Sequence, residues 1–274
     1  MRDRFLREAM TCAQLGQKSI HVVRVTDYGL TQEDLPFYVM EYLQGDNVGQ
    51  IVRRKPLAVP RFLSLTKQIL LGLRTAHNGI LVKGKVVPII HRDIKPSNIL
   101  VTADPSMGEL VKILDFGIAK LMQADSKQTS TFMGTLAYAS PEQMEGRELD
   151  GRSDIYSLGV MMYQMLSSKL PIKPKNNTFG SWYKVHRLAK PTPLVNRGVP
   201  KALSDVVMNC LAKQRKDRPD SIDAILDAIE PIEEQLMNGH KGSTHSGGSS
   251  PSADTATGRE RLEELSGLAD LAAR

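Results

Sequence analysis

The chain predicts an α+β fold, in which strand-like segments and amphipathic helices both occur. Two sets of observations carry this expectation. Residues 21–29 and 36–43 alternate like strands, and the β-branched runs 99–101 and 111–114 flank a turn-rich stretch, the pattern of a hairpin. Apolar residues recur every three or four positions at Phe62, Leu65, Ile69, Leu73 and Ala76, and again at Ile155, Leu158, Met162 and Met165. That is helical spacing, and both stripes read as core.

Bulk properties narrow the class. A length of 274 residues suits one large domain or two small ones, and 41% hydrophobic content supports a core. No apolar run reaches the roughly eighteen residues that span a membrane, and no secretory signal is visible. The net charge of +6 comes from 36 basic and 30 acidic residues spread along the chain, with one short cluster at Arg53-Arg54-Lys55. A nucleic-acid partner is therefore not expected. Cys12 and Cys210 lack metal-ligand spacing and read as reduced thiols of a cytoplasmic protein. His77, His186 and the other histidines also lack ligand spacing, so core or surface roles are expected.

The chemistry is concentrated in His91-Arg92-Asp93-Ile94-Lys95-Pro96-Ser97-Asn98 and, seventeen residues after Asn98, in Asp115-Phe116-Gly117. Phosphoryl transfer asks for positioning and charge neutralisation. Asp93 supplies a carboxylate to orient an acceptor hydroxyl and take its proton, and Lys95 supplies a cation for the moving phosphoryl group. Asn98 and Asp115 each supply one oxygen, the ligand type magnesium prefers. Asn98 stands at the entrance of the 99–114 hairpin and Asp115 at its exit, so one end of the hairpin carries both. Gly117 lets the backbone turn after Asp115.

These residues resemble the motifs of the eukaryotic-like (Hanks-type) serine/threonine protein kinases over roughly residues 4–229. The Lys95-Pro96-Ser97 spacer is similar to the serine/threonine branch, and the style of the activation segment resembles bacterial members. The resemblance implies a protein-kinase-like bilobal fold and transfer of the ATP γ-phosphoryl group to Ser or Thr hydroxyls of proteins, with Mg2+. It makes Asp93 the catalytic base, Lys95 the phosphate-contacting lysine, and Asn98 and Asp115 the magnesium ligands. Thr135, after Gly134, would bond Asp93 and Lys95. The backbones of Glu41 and Leu43 would meet adenine at the hinge, with Met40 as gatekeeper. Glu142, in a Ser-Pro-Glu that replaces the usual Ala-Pro-Glu, would pair with Arg218 in a buried ion pair. Asp154 would hold the catalytic-loop backbone, and Cys12 would pack toward Phe116. Arg92 implies activation by a phosphate on the segment 115–142, for which Thr129 and Thr131 are the preferred sites and autophosphorylation one route.

The departures are at the front. No Gly-x-Gly-x-x-Gly and no Val-Ala-Ile-Lys-like strand precede the catalytic loop. The chain opens on a stretch resembling the helix that comes after them, where Glu8 matches the glutamate that pairs with the strand lysine. The expectation is a truncated, weakly active piece of a full kinase. The alternative is a non-catalytic, kinase-like interaction module; a small-molecule phosphotransferase is disfavoured by the Gly134-Thr135 and Ser140-Pro141-Glu142 segments. Residues 81–90 form an insertion before His91 in which Gly84, flanked by lysines, suggests a small hairpin, read as neutral. The expected organisation is a partial N-lobe of a helix and two strands at 1–43, a C-lobe at 44–237, a Gly/Ser/Thr-rich linker at 238–258 and a short amphipathic helix pattern at 259–274.

Overall fold

A computed structural model describes residues 2–33, 35–116 and 135–242, with the backbone alone described for 2–8 and 239–242. By internal contacts the chain divides into Met1–Leu236 and Met237–Arg274, and everything that builds the site lies in the first unit.

The front of the molecule is helix α1 (Arg2–Lys18) against a two-stranded sheet of β1 (Val25–Leu30) and β2 (Pro36–Met40). Ala9, Cys12 and Leu15 lie three apart along α1 and are buried, so one face of the helix enters the core. The strands are antiparallel, pairing Leu30 with Pro36 and Tyr28 with Tyr38, with an irregularity between Val25 and Asp27. The first strand thus begins at Val25 and not at His21, as the alternation suggested. Residues 21–23 are drawn into a different partnership. Val22 bridges Ile113 in parallel, the Val23 N–H donates to the Ile113 carbonyl, and the Ile113 N–H donates to the His21 carbonyl. This seam ties the front of the molecule to the hairpin that ends at Asp115.

Strand β3 (Gly45–Asn47) then joins that hairpin, pairing with β6 (Ile99–Asp104), which pairs with β7 (Gly108–Ile113). Asp104 closes the hairpin turn by accepting from the N–H groups of Ser106 and Met107. Helix α2 (Val48–Arg54) starts with a capping box in which Asn47 and Gln50 satisfy each other's backbone N–H groups. Helix α3 (Val59–His77) has Pro60 in its first turn, where a missing N–H costs nothing. All five residues of its sequence stripe are buried. A short hairpin of β4 (Ile80–Val82) and β5 (Lys85–Val87) comes next, so the insertion does form a two-stranded turn.

The helical part is organised by α5 (Gly151–Ser167), capped by Asp150 and preceded by the one-turn α4 (Pro141–Met144). From Ser153 to Ser167 all but Gln164 are buried, so α5 is enclosed on every side. The four-residue stripe read from the sequence understates this; a helix apolar all round is a core helix. Around it stand α6 (Phe179–Leu188), α7 (Lys201–Cys210) and α8 (Ile222–Gly242). Helices α5 and α7 approach closely at Gly159, where an added Cβ would lie 2.7 Å from Cβ of Cys210. Gly159→Val is expected to overpack this contact and to lower stability by about 1–3 kcal/mol. An unchanged urea midpoint would show that the helices are not packed this tightly.

Candidate active site

The 91–98 loop, which ends in a 3-10 turn at Pro96–Asn98, is suspended between buried anchors. Asp154, in the first turn of α5, is 1% exposed on its side chain. Its Oδ2 accepts from the His91 N–H at 2.7 Å and its Oδ1 from the Arg92 N–H at 2.8 Å. His77 Nε2, at the end of α3, lies 2.9 Å from the same Oδ2. Burial alone would raise the Asp154 carboxyl, but the His77 imidazole and the loop N–H groups outweigh it and hold it below the usual carboxylate range.

His91 is the second anchor. Its Nε2 lies 2.9 Å from the Leu114 carbonyl, and the Asp93 N–H points at its Nδ1 at 3.2 Å. Those partners require a neutral ring protonated at Nε2, and complete burial pushes the imidazole in that direction by lowering its pKa. The ring also packs on Phe116, with centroids 4.6 Å apart. One side chain thereby ties the 91–98 loop to the segment that carries Asp115.

The polar groups converge above these anchors. Lys95 Nζ is 2.7 Å from Asp93 Oδ2 and donates to Thr135 Oγ1 at 3.3 Å. The Asn98 amide nitrogen donates to the Asp93 carbonyl at 2.9 Å and to Asp93 Oδ2 at 3.1 Å. The Leu114 N–H donates to the Asn98 carbonyl at 2.8 Å, which places Asn98 and Asp115 at one end of the hairpin. Asp115 is exposed and accepts from the Tyr38 hydroxyl at 2.8 Å through Oδ1. Arg92 and Asp115 have φ of +66° and +48°, left-handed conformations that non-glycine residues rarely adopt. Such strain gathers at working sites where the surroundings over-determine it. In Arg92 the surroundings are visible: its N–H is held by Asp154 and its carbonyl accepts from Gln143 Nε2 at 2.8 Å.

Gln143 comes directly after the segment 115–142. Ser140 caps α4, and Gln143 returns the bond to the Ser140 N–H while its amide nitrogen reaches the catalytic loop. Glu142 and Arg218 form a two-pronged pair, Oε1 to Nη1 at 2.6 Å and Oε2 to Nη2 at 3.0 Å, with side chains 8% and 0% exposed. Ser153 adds a third bond to Glu142 at 2.8 Å. Leu136 and Ala137 pack on Trp182 of α6. Beneath them the Tyr156 hydroxyl meets His186 Nδ1 at 2.9 Å, and burial, aided by the nearby Lys213 ammonium, lowers the His186 imidazole to about 4.

Asp93, Lys95, Asn98 and Thr135 are thus linked above an Asp154-held loop, with Asp115 at the neighbouring end of the hairpin. A profile of the protein kinase domain matches residues 1–228. The chain belongs to the protein kinase domain family. Serine/threonine-protein kinase A of Synechocystis sp. is 58% identical over 238 residues, 86% of this kinase chain and 46% of its own length. Serine/threonine-protein kinase PknB of Mycobacterium tuberculosis is 35% identical over 222 residues, 78% of this chain and 33% of its own. The chain spans less than half the length of these two bacterial relatives. The fold is that of a crystal structure of Rad53 1-466 in complex with AMP-PNP, with TM-score 0.66 and 25% identity over 84% of this chain and 55% of that one.

Other candidate residues of the kinase chain are placed less centrally. The Glu41 N–H donates to the Arg24 carbonyl, while its carboxylate accepts from the Arg24 N–H and pairs with Lys112 at 2.7 Å. Met40 beside it is 45% exposed. Cys12 and Phe116 are buried in the same core cluster. Glu8 lies in α1, and its side chain is outside the described residues, as are Gly117, Thr129, Thr131 and Gly134. Sequence reasoning missed His77, Tyr38, Gln143 and the ring of His91. Of these, the Ser140-x-x-Gln143 capping-box spacing was a readable signal; the others are contacts between residues distant in the chain.

The Glu142–Arg218 pair carries a pH signature. Burial opposes the Glu142 charge, but Arg218 and Ser153 overcome it, so the folded carboxyl titrates below its ordinary value. The stabilisation it confers is present above the ordinary carboxylate pKa and is lost as pH falls through the lowered one. Glu142→Gln is expected to cost about 3–5 kcal/mol at pH 7, because it strands a buried guanidinium. The gap between the variant and the wild-type chain should narrow as pH is lowered from 5 to 3. A gap in urea stability that is constant with pH would contradict the assignment.

Proposed function

We propose that this protein is a serine/threonine kinase that transfers the γ-phosphoryl group of ATP to Ser or Thr hydroxyls of proteins, itself included. The observation that carries the proposal is the convergence of Lys95 and Asn98 on a single oxygen of Asp93, with Thr135 on the same lysine. Oδ2 of Asp93 is pinned, which fixes the plane of the carboxylate relative to an incoming hydroxyl. In this reading Asp93 orients the acceptor and takes its proton as the O–P bond forms and the bond to ADP breaks. Lys95 offsets negative charge on the transferred group. Thr135 keeps Lys95 in place and joins the catalytic loop to the segment on which a peptide would lie.

Mg2+ fits the residues at the hairpin end. The Asn98 nitrogen is committed to Asp93, so the group it can offer a metal is its amide oxygen, and Asp115 adds a carboxylate with one oxygen held by Tyr38. Both are hard oxygen donors, and magnesium takes few protein ligands. When bound, the ion would bridge and neutralise nucleotide phosphates. At the hinge, the Glu41 N–H is already used by Arg24, so Glu41 offers its carbonyl to the adenine amino group, and Leu43 supplies the neighbouring backbone groups. Activation by phosphate on Thr129 or Thr131, read through Arg92, belongs to the same proposal. The buried cysteines Cys12 and Cys210 suit a reducing, cytoplasmic setting, and no described helix is long and apolar enough to cross a membrane.

The test is transfer of labelled phosphate from ATP, with magnesium, to a mixed protein acceptor. Label is expected on Ser and Thr, and Asp93→Asn should reduce incorporation by about 10²-fold or more, the scale of a positioned general base. Undiminished transfer by the variant would remove Asp93 from the chemistry. Label on tyrosine alone would remove the serine/threonine reading.

A further inference from the structure

The β4–β5 hairpin exposes apolar surface that the fold does not need. Of its six strand residues Ile80 alone is buried; Leu81 is 61% exposed, Val82 41%, Val86 66% and Val87 40%. The register pairs Ile80 with Val87, Leu81 with Val86 and Val82 with Lys85. Alternation therefore sets Leu81 and Val86 side by side on one face and Ile80 on the other. The base is firm. Gly79 has φ +87°, and an added Cβ there would lie 2.6 Å from the Val87 carbonyl oxygen, while the Ile89 N–H is bonded to Ala76 at the end of α3. The tip turns through Lys83 and Gly84, both with positive φ. A two-stranded hairpin is marginal by itself, and a monomer gains nothing by presenting four aliphatic side chains to water.

The surroundings indicate what would cover them. Leu81 and Val86 line a cavity of about 570 Å³ together with Lys18, Arg74, Asn78 and Asp223. Lys18 Nζ donates to the Gly79 carbonyl at the root of the hairpin, and Arg74 pairs with Asp223. With Lys83 at the tip and Lys85 on the hairpin's other face beside Val82, four cations surround one carboxylate. A second copy is a poor occupant, because the chain carries a net charge of +6 and would bring like charge to like. A bilayer is also a poor one, because Lys83 and Lys85 stand at the tip, ahead of the residues that would have to enter it.

We propose that this hairpin and the cavity beside it dock an extended, acidic segment of a partner protein. Lying along the hairpin, it would continue the Leu81/Val86 face with its aliphatic side chains, and its alternate residues, carboxylates, would face Lys85 on the other side and Lys83 at the tip. This is recognition by alternate side chains of a strand-like peptide. It does not depend on the kinase reaction. It also revises the reading of the insertion as neutral.

The test is fluorescence anisotropy with the 274-residue chain and labelled heptapeptides. One alternates glutamate with valine, one lysine with valine and one serine with valine. The acidic peptide is expected to bind at least tenfold tighter than either control. Leu81→Ser with Val86→Ser, and separately Lys83→Glu with Lys85→Glu, should each weaken it at least fivefold without moving the melting temperature. Equal binding of all three peptides, no binding, or indifference to both double variants would overturn the proposal. So would a concentration-dependent dimer, or binding to phosphatidylserine vesicles, that the Leu81/Val86 pair of changes abolishes while peptide binding is untouched.

Discussion

The rest of the site depends on one buried carboxylate accepting from two consecutive backbone N–H groups. Asp154 is fixed in the first turn of α5, the most enclosed of the described helices, and it holds His91 and Arg92 by their main chain. Asp93 and Lys95 stay partly exposed, so the precision of their placement must come from the loop backbone. Two short charge-assisted bonds to a buried carboxylate provide that. Everything above inherits the placement. Asp93 is the next residue after the anchored pair, Lys95 and Asn98 reach back to Asp93, and the His91 ring beneath reaches across to Leu114.

A second constraint joins this loop to the segment from Thr135 to Gln143. Gln143 bonds the Arg92 carbonyl, Thr135 accepts from Lys95, and Glu142 is locked to Arg218. Arg218 also donates to the carbonyls of Ala212, Lys213 and Arg152, so its guanidinium serves as a knot among three stretches of chain. Replacing such a pair with apolar residues can leave stability unchanged, whereas removing one partner strands a charge. Its value here lies in registering the 135–143 segment against α5, because the guanidinium and its acceptors are all satisfied in this arrangement.

Much of this was legible because the signals are local. Eight residues from His91 to Asn98 and three from Asp115 pointed to the kinase family, periodicity found α3 and α5, and turn composition found the β6–β7 hairpin. The rest escaped because it depends on physics that a linear reading does not contain. Residues 21–29 alternate like one strand, yet 21–23 pair with β7 and 25–30 with β2, a choice made by tertiary contact and not by propensity. His77 has no metal-ligand spacing, so its approach to Asp154 rests on where α3 ends relative to α5. Tyr38 reads as a strand aromatic until the fold brings its hydroxyl to Asp115. The insertion before His91 was visible as a hairpin, but its exposed face was not, since exposure depends on which elements fail to pack against it.

Amide hydrogen exchange, monitored by NMR at His91 and Arg92 in the wild-type chain and in Asp154→Asn, tests the central dependence most directly. The substituted amide is nearly isosteric, but its nitrogen cannot accept from a backbone N–H. The account predicts that exchange at these two amides accelerates by at least about tenfold, the loss of one charge-assisted bond of roughly 1.5 kcal/mol or more. The amides of α3 should keep their protection. Unchanged protection at His91 and Arg92 in the variant would show that the loop is held by something other than Asp154.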